Sequence, residues 1–202
     1  MAILGSMSRY DEKTALIVVD VQNDFADPNG SLYVPGGEEV VDFINREIEA
    51  ARDAGATVVF TQDWHPAVTP HFSKDGGVWP VHCVAGTWGA ELHPKLDHAA
   101  GETRIQKGVT GEDGYSAFNV SDPESKVISS TGLERLLRDS GIESAVVLGL
   151  ATDYCVKATA IDAAVAQFTT TVLEEGVRAV NLRPDDGGRA IEEMRQAGVT
   201  IP

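Results

Sequence analysis

Short apolar runs rich in β-branched residues recur along this chain and limit the folds that it can adopt. Three of them, residues 15–19 (ALIVV), 57–61 (TVVFT) and 144–150 (SAVVLGL), contain few polar residues. Such a run is typical of a strand buried on both faces, because a strand with one face in water alternates apolar and polar residues. We therefore expect a sheet that is covered on both sides.

Helical signals separate most of these runs. Residues 38–54 place several apolar side chains on one helical stripe, and Gly55 suits the end of that helix. Further helices are expected around 133–141, from about 152 and over 188–197, and weaker strands over 104–107, 169–173 and 199–201. Strands that alternate with helices are typical of βαβ units. We predict a three-layer α/β/α fold with a mostly parallel six-stranded sheet.

Length, charge and cysteine content narrow the class of protein. At 202 residues one domain is favoured over two, and no apolar run approaches the ~18 residues of a membrane span. The net charge of −15 argues against binding to nucleic acid or to an anionic membrane surface. Two cysteines cannot form a disulfide framework, so we expect free thiols and a cytoplasmic location. Residues 1–6 (MAILGS) are interpreted as a cloning scar, and residues 7–202 as the single domain.

Chemically capable side chains follow four of the predicted strands. Asp20 follows the first predicted strand, and Asp63 and His65 follow the second. Lys107 follows the third, which is one of the weaker signals, and Cys155 follows the fourth. Open α/β sheets bind ligands in the crevice at the carboxyl ends of their strands. We therefore expect these side chains to meet at one edge of the sheet.

Cys155 is the candidate nucleophile. It lies in the predicted first turn of a helix, where the helix dipole and the free N–H groups favour a thiolate and could hold an oxyanion. Asp20 is a candidate base, because partial desolvation would bring its pKa closer to that of a thiol, and Lys107 is a candidate cation beside both. A buried structural cysteine, a turn-forming aspartate and a surface lysine are the alternative interpretations.

A loop rich in histidine is the candidate metal site. Asp63, His65, His71 and His82 fall within twenty residues of one another, and mixed nitrogen and oxygen ligands suit zinc, manganese or iron. The alternative is that the histidines hydrogen-bond the loop in place. Cys83, next to His82, could be a further ligand or a second thiol at the site, but we expect it to be buried.

Aromatic residues are few, and four of them lie close in sequence to the candidate site. Phe25, Trp79, Tyr115 and Tyr154 could form the walls of a pocket for a flat aromatic substrate. Packing in the core beneath the loops is the alternative for each of them.

Together these segments resemble the nicotinamidases, within the isochorismatase-like cysteine hydrolases. The resemblance is carried by DVQNDF (20–25), DWHP (63–66), WPVHC (79–83), KG (107–108) and ATDYCV (151–156), and it extends over most of the chain. It implies the fold described above. It also implies hydrolysis of nicotinamide to nicotinate and ammonia in NAD salvage, with pyrazinamide as a second substrate.

The resemblance assigns roles to the catalytic candidates. Cys155 matches the nucleophile, Asp20 its base and Lys107 the supporting cation. The backbone N–H groups of Ala151 and Cys155 match an oxyanion hole, and the Leu150–Ala151 bond matches a position that is often cis in the family.

The resemblance also implies one divalent metal ion (Zn, Fe or Mn) and a ring pocket. Asp63, His65 and His82 match the metal ligands, and His71 resembles an additional ligand found in some relatives. The residues that match the pocket lining are Phe25, Trp79 and Tyr115, with Tyr154 at a position that is commonly His. The family includes monomers and larger assemblies, so a homo-oligomer stays open.

Other functions compete with this interpretation. An amidase of the same superfamily that acts on a carbamoyl or ureido substrate would keep Cys155, Asp20 and Lys107 without needing the metal ligands. A vinyl ether hydrolase of the isochorismatase type would generally lack the cysteine. A non-enzymatic redox sensor that used Cys83 and Cys155 would leave Lys107 unexplained.

Overall fold

Residues 9–202 are described by the computed structural model of this chain, so the proposed cloning scar at residues 1–6 lies outside the described part. In chain order the strands are β1 (Thr14–Val19), β2 (Thr57–Asp63), β3 (Thr103–Lys107), β4 (Asn119–Ser121), β5 (Ile128–Ser130), β6 (Ser144–Leu150) and β7 (Thr169–Arg178). The α-helices are α1 (Asn23–Ala26), α2 (Val41–Asp53), α3 (Leu133–Asp139), α4 (Lys157–Val165) and α5 (Asp186–Gln196).

The main sheet has the strand order β3–β2–β1–β6–β7, and every neighbouring pair is parallel. β1 lies at its centre, and all of its residues are buried. The chain runs from β1 through α2 to β2, and from β6 through α4 to β7 in the opposite direction across the sheet. Because such crossovers are right-handed, the two helices lie on opposite faces. The predicted α/β/α class is confirmed.

The sheet has five strands rather than the predicted six. Residues 199–201 form only an isolated parallel bridge to β7, between Thr200 and Thr171. Pro202 follows them and has no N–H with which to extend the ladder. A separate antiparallel hairpin of β4 and β5 was not predicted, because its strands have three residues each and β5 is fully exposed.

The helices lie close to their predicted positions. The apolar stripe of α2, formed by Val41, Ile44, Ile48 and Ala51, is buried. The helix expected from about residue 152 begins with a π-helical turn over Thr152–Val156 and continues as α4. Within residues 9–202, no helix has both the length and the apolar character needed to cross a membrane.

The carboxyl ends of β1 and β6 lie where the strand order reverses, which is the usual ligand crevice of an open α/β sheet. Gly149 allows the two strands to meet there. Its φ is 116°, and a Cβ at this position would lie 2.1 Å from the Val19 carbonyl oxygen. On the other side of β1, the register of β2 and β3 pairs Asp63 with Lys107.

Candidate active site

A buried ion cluster lies at the carboxyl ends of β1, β2 and β3. Lys107 Nζ is 2.7 Å from Asp20 Oδ2 and 2.8 Å from Asp63 Oδ1. The same nitrogen lies 3.5 Å from Cys155 Sγ and donates a hydrogen bond to the Tyr115 carbonyl at 3.2 Å. Lys107 is 1% exposed, so it is not the surface lysine of the alternative interpretation, and Asp20 is 0% exposed. The structure brings the three predicted catalytic residues together.

The charges of this cluster determine where protons lie. Burial alone would lower the pKa of Lys107, but the Asp20 and Asp63 carboxylates raise it well above its ordinary value. Burial raises the pKa of Asp20, although Lys107 offsets part of this effect. Burial also disfavours the charge of Asp63, but Lys107 holds the pKa of that carboxyl well below its ordinary range. Asp20 is therefore the carboxylate that more readily accepts a proton.

The Cys155 sulfur is within reach of a proton acceptor. Sγ and carboxylate oxygens of Asp20 and Asp63 all lie within 4.8 Å of one another. Burial raises the pKa of the Cys155 thiol well above its ordinary value, and the charge of Lys107 offsets only part of this. Burial therefore opposes the thiolate that the helix start was expected to favour. The sulfur therefore needs a base to remove its proton.

The turn before Cys155 borders a cavity. Ala151 and Cys155, the residues predicted to supply the oxyanion hole, both line it. The Leu150–Ala151 peptide is cis, as the resemblance implied. The Asp153 carboxylate accepts hydrogen bonds from the N–H groups of Val180 and Asn181, each at 2.9 Å. This carboxylate ties the turn to the loop that follows β7.

Three histidines gather next to the ion cluster. His65, His71 and His82 are all buried and each offers a ring nitrogen, and these nitrogens lie within 4.8 Å of one another. Asp63 Oδ2 lies 3.7 Å from His65 Nε2 and 3.8 Å from His82 Nε2. The structure thus brings together all four residues that were predicted as metal ligands.

The donor set fits a divalent metal ion. Neither ring nitrogen of His65 has a hydrogen-bond partner among the described residues, although both are buried, and a bound ion would satisfy one of them. Zinc ligands at ~2.0–2.1 Å from the ion stand roughly 3.4 Å apart in a tetrahedral site. The distances of 3.7 and 3.8 Å from Asp63 Oδ2 to His65 and His82 therefore need to shorten only slightly. Gly108 leaves room for the ring, since a Cβ there would lie 2.4 Å from His65 Nδ1.

Hydrogen bonds orient the other two imidazoles. His82 Nδ1 lies 2.7 Å from the Pro80 carbonyl oxygen, and His71 Nδ1 lies 2.6 Å from Asp113 Oδ1. Because both partners accept, each Nδ1 must carry the proton, and each Nε2 keeps its lone pair. Burial lowers the pKa of His71, and its neighbours His65 and His82 add to this effect. For His71, burial therefore favours the neutral imidazole, which is the form that binds metals.

The four aromatic candidates all line the cavity between the sulfur and the histidines. Trp79 Nε1 donates a hydrogen bond to the Tyr115 hydroxyl at 3.0 Å. The Tyr154 ring stands edge-on to both, with centroids 4.9 Å from Trp79 and 5.3 Å from Tyr115. The Phe25 ring packs against the His82 ring, with centroids 5.5 Å apart. These rings enclose a narrow space suited to a flat ring.

Sequence reasoning missed several residues that support the site. Thr61 Oγ1 donates to Asp20 Oδ1 at 2.5 Å and accepts from the Asp20 N–H at 3.1 Å. The Gln22 side chain holds Asp63 by donating to its carbonyl at 2.7 Å and accepting from its N–H at 2.8 Å. The Asp113 contact with His71 was also missed. Of these, only Gln22 lay in a motif that the sequence had singled out. Leu32, Val34, Leu150 and Val180 complete the cavity lining.

Cys83 plays no part in the cavity lining. It is 0% exposed, as expected, and its sulfur faces the Gly89 carbonyl oxygen at 3.8 Å. Its N–H donates to Asp24 Oδ2 at 2.7 Å, which fixes the backbone next to His82. Cys83 is therefore a structural residue, in contrast to Cys155.

Comparisons with known proteins agree with this fold. Nicotinamidase of Escherichia coli (strain K12) is 40% identical over 203 residues, which cover 93% of each chain. The pyrazinamidase of Pyrococcus horikoshii, solved in complex with zinc, has a TM-score of 0.83 and 37% identity over 94% of this chain and 98% of its own. PnC1 from L. infantum, solved in complex with nicotinate, has a TM-score of 0.85 and 38% identity over 96% of this chain and 94% of its own.

The family assignment rests on almost the whole described chain. Residues 14–201 match the family model described as the isochorismatase domain. That range begins with the first residue of β1 and includes every strand and α-helix of the structure. The chain therefore belongs to the isochorismatase domain family.

Proposed function

We propose that this protein hydrolyses nicotinamide to nicotinate and ammonia through a thioester at Cys155, and that it also accepts pyrazinamide. The observation that carries the proposal is the Lys107 ammonium, buried beside an aromatic cavity and in contact with both Asp20 and Cys155. The names of the relatives, nicotinamidase and pyrazinamidase, support this choice of substrate.

Acylation begins with a proton transfer. Asp20 takes the proton of the Cys155 thiol, and the sulfur attacks the carboxamide carbon to form a C–S bond. The backbone N–H groups of Ala151 and Cys155 stabilise the resulting oxyanion. Asp20 then returns the proton to the nitrogen, the C–N bond breaks and ammonia leaves a thioester behind.

Deacylation uses the same base. Asp20 removes a proton from a water molecule, and the hydroxide attacks the thioester carbon. The C–S bond breaks, and the proton on Asp20 returns to the sulfur. Nicotinic acid leaves and loses its carboxyl proton to solvent, which gives nicotinate. Lys107 stays charged throughout and limits the accumulation of negative charge on Asp20 and the sulfur, which a buried site would otherwise disfavour.

The candidate metal ligands adjoin this chemistry. We assign Asp63, His65, His71 and His82 as the residues that hold one divalent ion, with zinc, iron and manganese all suited to the donor set. When bound, the ion supplies a Lewis acid for the ring nitrogen of the substrate, beside the cavity. Phe25, Trp79, Tyr115 and Tyr154 then position the ring so that its carboxamide faces the sulfur.

The competing functions explain less of the site. A carbamoyl or ureido amidase would account for the ion cluster around Lys107 but not for three histidines that converge beside the cavity. A redox sensor would need an accessible pair of thiols, whereas Cys83 is completely buried. Both cysteines are free, which suits a reducing compartment, so we place the reaction in the cytoplasm.

The test is the release of nicotinate and ammonia from nicotinamide by the purified protein. Wild type should form both products, and Cys155→Ala and Asp20→Ala should each retain less than about a tenth of that activity. Cys83→Ala is the matched control, since it removes the other buried thiol and should stay active if it folds. Chelation should lower the rate, and added metal should restore it. An active Cys155→Ala protein would refute the scheme.

A further inference from the structure

We propose that Asp113 is a positioning residue for the metal site, which holds the His71 ring so that its second nitrogen faces the ion. The inference rests on the proposed function in one respect only: it assumes that a divalent ion binds among His65, His71 and His82. It concerns a side chain outside the cavity that neither the family match nor the motifs single out.

The contact itself sets the tautomer. Asp113 Oδ1 lies 2.6 Å from His71 Nδ1. A carboxylate can only accept a hydrogen bond, so Nδ1 carries the proton and Nε2 is left as the metal-binding atom. A carboxylate in this position also makes the imidazole a stronger donor toward a metal.

The surroundings of His71 give this contact a specific role. The His71 ring stacks on His65 with centroids 4.5 Å apart, and it lies 5.3 Å from the His82 ring. Its Nδ1 contacts Asp113, whose side chain is 41% exposed. Rotation of the ring about χ2 would break the contact and turn a protonated nitrogen toward the ion. Asp113 therefore favours the one orientation that binds.

The backbone of Asp113 is itself held in place. Asp113 and Ser121 exchange two backbone hydrogen bonds, of 2.8 and 2.5 Å, in an isolated antiparallel bridge. Ser121 is the last residue of β4, so this bridge lies at the loop end of the β4–β5 hairpin. β5 is fully exposed and adds little to the core. The hairpin thus supports Asp113, and through it the candidate metal site.

A surface ion pair is the competing explanation. A partly exposed ion pair contributes only about 0–1 kcal/mol to stability, and its loss would not change the affinity for a metal ion. The two explanations differ in what they predict for metal affinity, because removal of a hydrogen-bond partner of a ligating histidine typically costs about 10- to 100-fold in affinity.

The experiment measures metal binding to the full chain without using activity. Metal-free wild type, Asp113→Ala and Asp113→Asn are titrated with Zn²⁺ against a chromophoric chelator, and with Co²⁺ by visible absorption. Glu112→Gln is the matched control, since it removes the same charge one residue away and its carboxylate contacts the Thr110 N–H instead of a histidine. Thermal melting of the metal-free proteins reports folding.

We expect Asp113→Ala to weaken Zn²⁺ binding by about 10- to 100-fold and to alter the Co²⁺ spectrum. Asp113→Asn should lose less, since its amide oxygen still accepts from Nδ1, and it serves as the second variant if the alanine protein does not fold. Glu112→Gln should bind within about twofold of wild type. Melting temperatures without metal should stay close to that of wild type.

The inference is overturned if Asp113→Ala and Asp113→Asn bind zinc as tightly as wild type, or if Glu112→Gln loses as much affinity as they do. A wild-type protein that binds no metal overturns it as well. A wild-type protein that binds zinc and depends on Asp113, yet forms no nicotinate, refutes the proposed function and leaves the role of Asp113 standing.

Discussion

Replacement of Lys107 by methionine tests the charge balance on which the proposed chemistry depends. The Lys107 ammonium is fully buried and lies 2.7 Å from Asp20 Oδ2 and 2.8 Å from Asp63 Oδ1. At an effective dielectric constant of ~20, each contact is worth about 6 kcal/mol of attraction, most of which offsets the cost of burying the charges. Methionine removes the attraction and leaves two buried carboxylates without a cation.

We expect Lys107→Met to lower the free energy of unfolding of the metal-free protein by about 3–5 kcal/mol near neutral pH. The loss should depend on pH. Without Lys107 the folded-state pKa values of Asp20 and Asp63 rise above those of the unfolded chain, so the folded state binds more protons between the two values. The variant therefore loses stability as pH rises through that window, by about 1.4 kcal/mol per pH unit for one carboxyl.

Denaturant unfolding at about pH 5 and about pH 8 measures this effect, with ammonia release as the activity readout. Lys157→Met is the matched control: Lys157 pairs with Glu193 at 2.8 Å on the surface, so its loss should cost less than about 1 kcal/mol. Activity of Lys107→Met should fall by at least about 100-fold, since a protonated Asp20 cannot accept the thiol proton. A stability loss that is equal at both pH values, or no larger than that of Lys157→Met, would refute the reasoning.

Three further predictions follow from single contacts. Gly108→Ala should weaken Zn²⁺ binding in a chelator titration, because its Cβ would lie 2.4 Å from His65 Nδ1, and unchanged affinity would contradict the placement of His65. In the metal-free protein, iodoacetamide should alkylate Cys155 at a rate that still increases as the pH rises above 9.0, the ordinary pKa of a thiol, because burial raises the pKa of this thiol. Peptide mass spectrometry measures the rate. Thr61→Val should move the acid limb of kcat/KM to higher pH, because Thr61 donates to Asp20 and lowers its pKa; an unmoved limb would remove Asp20 from the role of base.

The position of the site was predictable from the sequence because strand ends in a parallel sheet share an edge. The runs before Asp20 and Asp63 are so apolar that they could only be buried strands, and Lys107 and Cys155 each follow another strand signal. No statement about register was needed to place these residues in one crevice. The strand count was less secure, since residues 199–201 make a single bridge where a strand was expected.

Contacts between distant segments were not predictable from the same patterns. Thr61 bonds Asp20 only because β1 and β2 pair in one register, and nothing in the sequence fixes that register. From the sequence alone, Asp113 is an acidic residue in a loop. Its contact with His71 depends on the bridge between Asp113 and Ser121 of the hairpin. The direction of the Cys155 pKa shift also depends on burial, which is not visible in the local sequence.

One lysine joins the two halves of the candidate site. Lys107 balances Asp20, the proposed base, and Asp63, a proposed metal ligand, from the end of a single strand. Asp63 lies opposite Lys107 in the β2–β3 register, so the pairing of these strands sets that distance. Because the negative charge of Asp63 helps to raise the pKa of Asp20, any cation that neutralises Asp63 also makes Asp20 easier to ionise. Metal binding at Asp63 and proton transfer at Asp20 are therefore electrostatically linked, although they use different side chains.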